Sequence, residues 1–369
     1  MSSFARKVGD PGHRAVPAPA ESELRDERDG ARARSLAQGF RVDPRIPATV
    51  PGFDAPFFQA GLAGYSDRAM RLTARSLGAP YCVTESLLDH HLLTSPRIRA
   101  AETPLEDDKP LAGQIIGHDP SEMARAAGVA VEMGFSVIDV NLACPSKLVK
   151  RRERGGNLLS QPGRAIEILR AVRDAVPAEV PCTVKLRRAF DDSAEMAEAF
   201  DAVFEAAYDG GYAWATVHSR TVEQRYVGYG RWAALADLVR RYPDRLIFGS
   251  GDVETAEDIF SMLDLCGVHG VAVARGAITN PWIFRQARGL LAGEAPALPP
   301  LEEQGADLLL QFERRAELLG ARRASILMRK QSIHIAETHP HHEEVRHAFI
   351  EAKGPEDWCA VVRRFFLEA

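Results

Sequence analysis

Three side chains in this 369-residue sequence are placed to do chemistry, each at or near the end of an apolar run. Cys144 lies in Asn-Leu-Ala-Cys-Pro (141–145), just past a strand-like stretch. A thiol on such a loop can serve as an acid or as a nucleophile. Lys185 lies in Thr-Val-Lys-Leu-Arg (183–187), within a run that otherwise reads as a buried strand. A lysine is rarely buried without a partner. It reads as a Schiff-base amine, as a charge beside an anionic cofactor group, or as a side chain snorkelling from a strand end. His218 closes another apolar run, with Arg220 two residues on; such a histidine hydrogen-bonds a ligand or caps a loop. Two further stretches, Gly-Ser-Gly-Asp-Val (249–253) and Ala-Arg-Gly-Ala (274–277), are glycine-rich. Gly249, Gly251 and Gly276 permit close backbone approach and Arg275 adds charge, a pattern that suits a phosphate; the alternative is a pair of tight turns.

The elements that must carry these residues recur with one rhythm. Strand-like runs fall at 56–60, 81–85, 111–116, 136–141, 182–186, 213–218, 245–249 and 270–274. Helical periodicity lies between them: over 66–78, where Ser66 can cap and Gly78 can stop the helix, from near 119, 163 and 193, and over 231–241 and 254–260. Strand then helix, repeated eight times, predicts a (β/α)8 TIM barrel spanning 53–292. The rival, a doubly wound open sheet, would carry GxGxxG in its first βα turn, and the sequence has none. In a barrel, chemistry sits at the C-terminal strand ends, where polar residues recur here: Gln114, Asn141, Lys185, Arg187, His218, Ser250 and Arg275 among them.

Outside the barrel the texture changes. Residues 1–52 contain a Val-Pro-Ala-Pro-Ala stretch and a charge-dense segment, and are expected to form an unstructured extension, although alternating charges allow a short helix over 21–37. Residues 293–300 read as a linker, and 301–369 as a small C-terminal helical domain. Lys plus Arg total 46 against 51 Asp plus Glu, a net charge of −5, so a nucleic-acid partner needs a local basic patch. One candidate is 147–154, with five basic residues against Glu153; Arg pairs at 314–315, 322–323 and 363–364 and the Arg-Lys pair at 329–330 offer others. The five cysteines (82, 144, 182, 266, 359) form no CxxC, which argues against a metal site or a disulfide framework and for reduced, cytoplasmic thiols. Cysteines other than Cys144 read as core. No apolar leader and no run near the ~18 residues of a membrane span is visible.

From about 55 onward the chain resembles the flavin-dependent tRNA-dihydrouridine synthases. The resemblance rests on Ala-Gly-Leu-Ala-Gly-Tyr-Ser-Asp (60–67), Thr-Glu (84–85), Gly-Gln-Ile-Ile-Gly (113–117) and Asp-Val-Asn-Leu-Ala-Cys-Pro-Ser (139–146). It continues through 155–162, 184–187, 217–228 and 249–253, and ends with Asn-Pro-Trp-Ile-Phe (280–284) and the Met-Arg-Lys of 328–330.

The resemblance implies FMN at the barrel mouth and NADPH or NADH as reductant. Gly61, Leu62 and Ala63 would underlie the isoalloxazine, Gln114 and Lys185 its polar edge, and His218 its flank. Ser250, Gly251, Asp252, Ala274 and Arg275 would surround the phosphate. Cys144 would protonate C5 of a uracil that receives hydride at C6, a task suited to a thiol because its pKa near ~8.5 keeps it mostly protonated at neutral pH. Asn141, Arg187 and Arg220 would orient the uracil or its phosphate. The partner implied is tRNA, docked by the helical domain to a monomeric enzyme. Three departures mark a divergent subfamily: Gly61-Leu62 for Pro-Met, Ser250 for Asn and Ala274 for Gly. Two other functions are compatible with the barrel: a flavin reductase of a free small molecule, and a non-catalytic RNA-binding relative. The basic run and the helical tail favour RNA over the small molecule.

Overall fold

In the computed structural model the described residues are Leu24, 27–146, Val149 and 153–368. The strands are β1 (Phe57–Gln59), β2 (Cys82–Val83), β3 (Leu87–Leu88), β4 (Leu111–Ile116), β5 (Val137–Leu142), β6 (Cys182–Arg187), β7 (Trp214–His218), β8 (Ile247–Ser250) and β9 (Gly270–Val273). All pair in parallel, and β1 contacts both β2 and β9, which closes the sheet. β2 and β3 are two pieces of one barrel strand, since both pair with β4. The fold is therefore the eight-stranded (β/α)8 barrel, and each expected run coincides with a strand to within two residues at either end. Parallel neighbours need crossover connections. These are supplied by the helices Arg68–Ser76, Pro120–Glu132, Pro162–Ala175, Ala194–Asp209, Trp232–Arg241 and Ala256–Cys266.

Between β2 and β3 one residue is extra: Cys82 to Leu87 advances five positions while the partner, Leu111 to Ile115, advances four. Such a bulge bends a strand and re-aims its side chains. It lies at Thr84–Ser86, at the mouth of the barrel.

Successive strand residues face opposite sides. Phe58, Tyr81, Trp214 and Phe248 point inward and pack as rings, with Trp214 stacked on Phe248 at 5.0 Å. Toward the C-terminal end of the barrel the inward positions turn polar: Gln114, Asp139, Thr183, Lys185 and Thr216 line a cavity of about 10 Å³, room for one water.

The expected extension over 1–52 is corrected from residue 30 onward; 1–23, 25 and 26 lie outside the described residues. Gly30–Gly39 is a helix whose buried Ala33 and Ala37 allow close packing on Ala256–Cys266. Arg34 pairs with Glu257 at 3.2 Å. The short helix Arg45–Thr49 then delivers Ile46 and Val50, with Phe53 after them, into the base of the barrel. Phe53 is fully buried and stacks on Tyr81 at 4.8 Å. Small alanines and isolated large residues carry little periodic signal, so this plug looked like an extension. A second correction concerns Ser66. Asp67, not Ser66, caps Arg68–Ser76, because the Ser66 hydroxyl is taken by the Leu62 N–H at 2.7 Å.

Beyond residues 293–300, which carry no helix or strand, come the helices Leu301–Leu319, Ala321–Ile335, His342–Glu351 and Pro355–Val362. Their core includes Leu308, Met328, Phe349, Trp358 and Phe366, and it takes in Trp282 from the barrel. The Trp282 indole N–H donates to Asp307 at 2.7 Å. Buried Arg315 ties the same helices to the β1 loop, donating to Asp67 at 2.7 Å and to the Tyr65 carbonyl at 3.1 Å. No described helix is long and apolar enough to cross a membrane.

Candidate active site

The polar end of the barrel is built outward from a fully desolvated carboxylate. Asp139 on β5 faces Gln114 on β4 and Thr183 on β6 in the strand register. It accepts from Gln114 Nε2 at 2.8 Å and from the Thr183 hydroxyl at 2.6 Å. Burial pushes its carboxyl up, while Thr183, Gln114 and the charge of Lys185 pull it down. Gln114 Oε1 accepts from Ser86 at 2.6 Å and from Asn141 Nδ2 at 2.8 Å. The bulge makes this possible by bringing Ser86 over Gln114, whose own N–H donates to Thr84 Oγ1 at 3.0 Å.

Asn141 continues the network to the cysteine. Its Nδ2 donates to Ser86 and Gln114, and its Oδ1 accepts the N–H groups of Ala143 and Cys144 at 3.0 and 3.1 Å. All four of its hydrogen-bonding sites are thereby engaged inside the protein. The Ala143 carbonyl receives Arg187 Nε at 3.0 Å, and the Cys144 carbonyl receives the Gly156 N–H at 3.1 Å. The glycine pair is forced by closeness: a Cβ on Gly155 would lie 3.1 Å from Cys144 Cβ, and Gly155 has φ +56. Cys144 is thus held at fixed points on both sides and stays partly accessible. By contrast, burial pushes the thiols of Cys82 and Cys266 up to about 12 and that of Cys182 to about 11, which leaves them inert.

Lys185 sits next to Asn141 in the strand register. It enters no hydrogen bond or ion pair among the described residues. Burial lowers its pKa, and the Asp139 carboxylate opposes that shift. His218 is partly buried, and its pKa is held well below the ordinary value by desolvation and by Arg187, Lys185, Arg220 and Arg275. Its Nδ1 accepts the Arg220 N–H at 3.2 Å, so the neutral ring carries its proton on Nε2.

The two arginines expected to meet substrate do structural work here. Arg187 donates through Nη1 to the carbonyls of Thr221 at 2.7 Å and Arg225 at 2.6 Å, besides Ala143. Burial lowers its pKa to about 10. Arg220 Nη2 bonds the Gly228 carbonyl at 2.6 Å and Asp252 Oδ1 at 2.5 Å. Asp252 also receives the Gly230 N–H at 2.6 Å and lies 3.6 Å from Arg275, so its charge is compensated. Buried Ser250 donates to the Ala272 carbonyl at 3.3 Å, beside Gly251 at φ +116 and the half-buried Ala274.

Arg220 Nη1 and Ser219 Oγ at this end are buried and have no hydrogen-bond partner among the described residues. With Lys185, the His218 Nε2–H and the second N–H of Gln114 Nε2, they form a donor set around the mouth. Such a set fits a ligand with acceptor atoms on one edge and an anionic group at the other end, as in FMN.

Gly61, Leu62 and Ala63 open the β1 loop over this mouth. A Cβ on Gly61 would stand 2.1 Å from the Thr84 carbonyl, so the bulge demands glycine there. Glu85 in the bulge accepts the Gly64 N–H at 2.7 Å, and Lys330 of the helical domain donates to the Gly64 carbonyl at 3.1 Å. The Lys330 ammonium also lies 3.6 Å from the centre of the Tyr65 ring.

Sequence reasoning missed Thr84's support of Gln114, Ser86 and Asp139. A charged residue inside the apolar run Ser-Val-Ile-Asp-Val-Asn (136–141) was the available signal for Asp139. Most of the basic run at 147–154 lies outside the described residues; of its basic side chains only Arg154 is described, paired with buried Asp89 at 3.3 Å.

The family model "Dihydrouridine synthase (Dus)" matches residues 58–369. A probable tRNA-dihydrouridine synthase of Treponema pallidum is 32% identical over 318 residues, covering 83% of this chain and 92% of that one. The tRNA-dihydrouridine synthase B of Pseudomonas aeruginosa is 32% identical over 311 residues, covering 84% and 92%. A probable tRNA-dihydrouridine synthase of Rhodobacter capsulatus is 34% identical over 249 residues, covering 67% and 75%.

Proposed function

The chain belongs to the dihydrouridine synthase family, and on that premise we propose that it reduces the C5–C6 bond of specific uridines in tRNA to dihydrouridine, with FMN as cofactor and NADPH or NADH as reductant. The observation that carries this reading is the placement of Cys144. Its backbone is fixed by Asn141 and Gly156 at the barrel mouth, near Lys185, which enters no hydrogen bond or ion pair among the described residues.

Gln114, Lys185 and His218 would hold the polar edge and flank of the FMN ring system, over the backbone of Gly61, Leu62 and Ala63. Arg220 Nη1, Ser219 and Arg275, with the loops at Ser250–Asp252 and Ala274, would hold its phosphate. Bound there, FMN would supply hydride chemistry toward C6 of the uracil. Negative charge then develops at C5 and along the C4 carbonyl of the base. Cys144 Sγ holds the proton that C5 takes, and the rigid anchoring of residues 141–144 keeps that proton in place. Lys185 and the His218 Nε2–H contribute positive potential in a desolvated site, where it acts more strongly than in water. Asn141 and Arg187 act by position: one orients the Cys144 N–H and the other its preceding carbonyl. A uridine reaches this mouth only after leaving its stack. The same reading makes the enzyme a cytoplasmic monomer.

The test uses flavin-loaded protein, NADPH and tRNA that lacks dihydrouridine. The wild type forms dihydrouridine, and Cys144→Ala lowers the rate by about 10²–10⁴-fold, the range for a positioned proton donor. Equal rates for the two proteins would remove Cys144 from the mechanism, and a wild type that forms no dihydrouridine would remove the reading itself.

A further inference from the structure

The chain that leaves the candidate site past Cys144 returns to it at Gly155 and Gly156. There the Gly156 N–H donates to the Cys144 carbonyl at 3.1 Å, and a Cβ on Gly155 would stand 3.1 Å from Cys144 Cβ. The residue just before this return carries a buried ion pair that no step of the mechanism uses. Arg154 Nη2 lies 3.3 Å from Asp89 Oδ1, with the Arg154 side chain 14% exposed and that of Asp89 0%. Asp89 follows β3 and opens the short helix Asp89–Thr94. Its carboxylate is seated on the barrel itself. Oδ1 accepts the His90 N–H at 2.7 Å, and a Cβ on Gly117, just past β4, would lie 2.1 Å from Oδ2.

Separating a buried pair strands both charges, which is far costlier than breaking an exposed one. Swinging Arg154 outward would do this, so the pair resists any opening of the return. A second contact acts at residue 153. The His118 ring donates from Nδ1 to the Glu153 carbonyl at 2.9 Å. Glu153 stands at φ +50, a conformation that a non-glycine residue keeps only where its surroundings impose it. The Glu153 carboxylate itself is exposed, 3.8 Å from His118 Nε2, and exposed pairs contribute little. The buried pair is therefore the stronger anchor. It holds through one contact: Asp89 Oδ2 and Arg154 Nε are buried with no hydrogen-bond partner among the described residues. Charge, not a two-pronged bond, joins the groups, so a lysine can take the place of the guanidinium.

We propose that Asp89 and Arg154 are positioning residues for Cys144: the pair locks the return of the cysteine loop to the barrel and so fixes the thiol at the mouth. Asn141 anchors one side of Cys144, and Arg154 anchors the other through Gly155 and Gly156. The pair contacts neither base nor cofactor. This rests on the reading of Cys144 as proton donor in a uridine reductase. Such a donor tolerates little displacement, since about 1 Å of misplacement costs about 10²-fold in rate.

Arg154→Ala, Arg154→Lys and Asp89→Asn are compared with the wild type in the full chain. One readout is the alkylation rate of Cys144 by iodoacetamide without RNA, followed by peptide mass spectrometry. Cys359, the other partly accessible cysteine, is the internal reference. The second readout is kcat and KM of the flavin-loaded enzyme on tRNA that lacks dihydrouridine. In Arg154→Ala and Asp89→Asn the released loop exposes the thiol, and alkylation of Cys144 rises by about tenfold or more. Their kcat falls by about 10–100-fold while KM for tRNA stays the same. Arg154→Lys keeps a cation beside Asp89 and stays near the wild type in both readouts. Flavin content and melting temperature establish that each variant is folded. The double variant Asp89→Ala with Arg154→Ala strands no charge; it stands in for a single variant that does not fold, with the same two changes expected. A lower melting temperature with unchanged alkylation and kcat overturns the proposal and leaves the enzyme assignment intact. Arg154→Lys behaving as Arg154→Ala also overturns it. A wild type that forms no dihydrouridine defeats both readings.

Discussion

Gln114 Nε2 donates to Asp139 Oδ2 at 2.8 Å, and this bond leaves the Gln114 side chain only one amide orientation. With Nε2 toward the carboxylate, Oε1 must face Ser86 and Asn141, which both donate to it. One buried acid thereby sets the polarity of a chain that runs from the barrel interior to the N–H of Cys144. It also supplies the opposing charge that offsets the desolvation of Lys185.

Asp139→Asn removes one acceptor and introduces a donor. The Asn amide can satisfy either Gln114 or Thr183, and it faces the other with an N–H. The expected cost is about 1–3 kcal/mol of stability, as for one buried group left unsatisfied. Flavin affinity should fall by about tenfold or more, because Gln114 gains a second orientation and Lys185 loses its counter-charge. Urea unfolding and flavin titration measure the two effects. Unchanged values in both would mean that Asp139 does not organise the site.

His218 gives a pH dependence of defined sign. Its folded-state pKa lies well below the ordinary value, chiefly through burial. Below about pH 6.5 the unfolded chain binds a proton at this position that the folded chain does not, so stability falls as pH falls through that region. Above it both states are neutral and the term vanishes. In His218→Asn the side-chain oxygen can still accept the Arg220 N–H, and the group no longer titrates. The variant should therefore lose less stability than the wild type between pH 7.5 and pH 5.5. Melting curves at the two pH values decide it; identical losses would show that His218 is not the neutral, partly buried group described.

Phe53 tests the correction at the N-terminus. It lies outside the closed sheet in sequence, yet it is fully buried against Phe58, Tyr81, Trp214 and Phe248. Phe53→Ala leaves a cavity at the barrel base and should cost about 3–5 kcal/mol. Denaturant unfolding measures it. A cost below 1 kcal/mol would mean that residues 45–53 cover the barrel without supporting it.

The eightfold repeat of strand and helix was enough to predict the barrel and the end of it that carries chemistry. Polar residues recur at the C-terminal strand ends, so Gln114, Asn141, Lys185, Arg187, His218 and Ser250 could be read as converging before any coordinate was known. The motifs around Cys144 and Asn280–Phe284 pointed to the family for the same reason: they are local in sequence. What each polar atom bonds is not local. Asn141, Arg187 and Arg220 were expected to face substrate; the closed sheet also brings them to backbone carbonyls and N–H groups 2 to 44 positions away. Buried donors must find acceptors wherever the closed sheet puts them, and these residues therefore hold loops. The bulge at Thr84–Ser86 and the plug around Phe53 depend in the same way on closure of the barrel. Periodicity encodes which way a side chain points; only the packed structure decides what it meets.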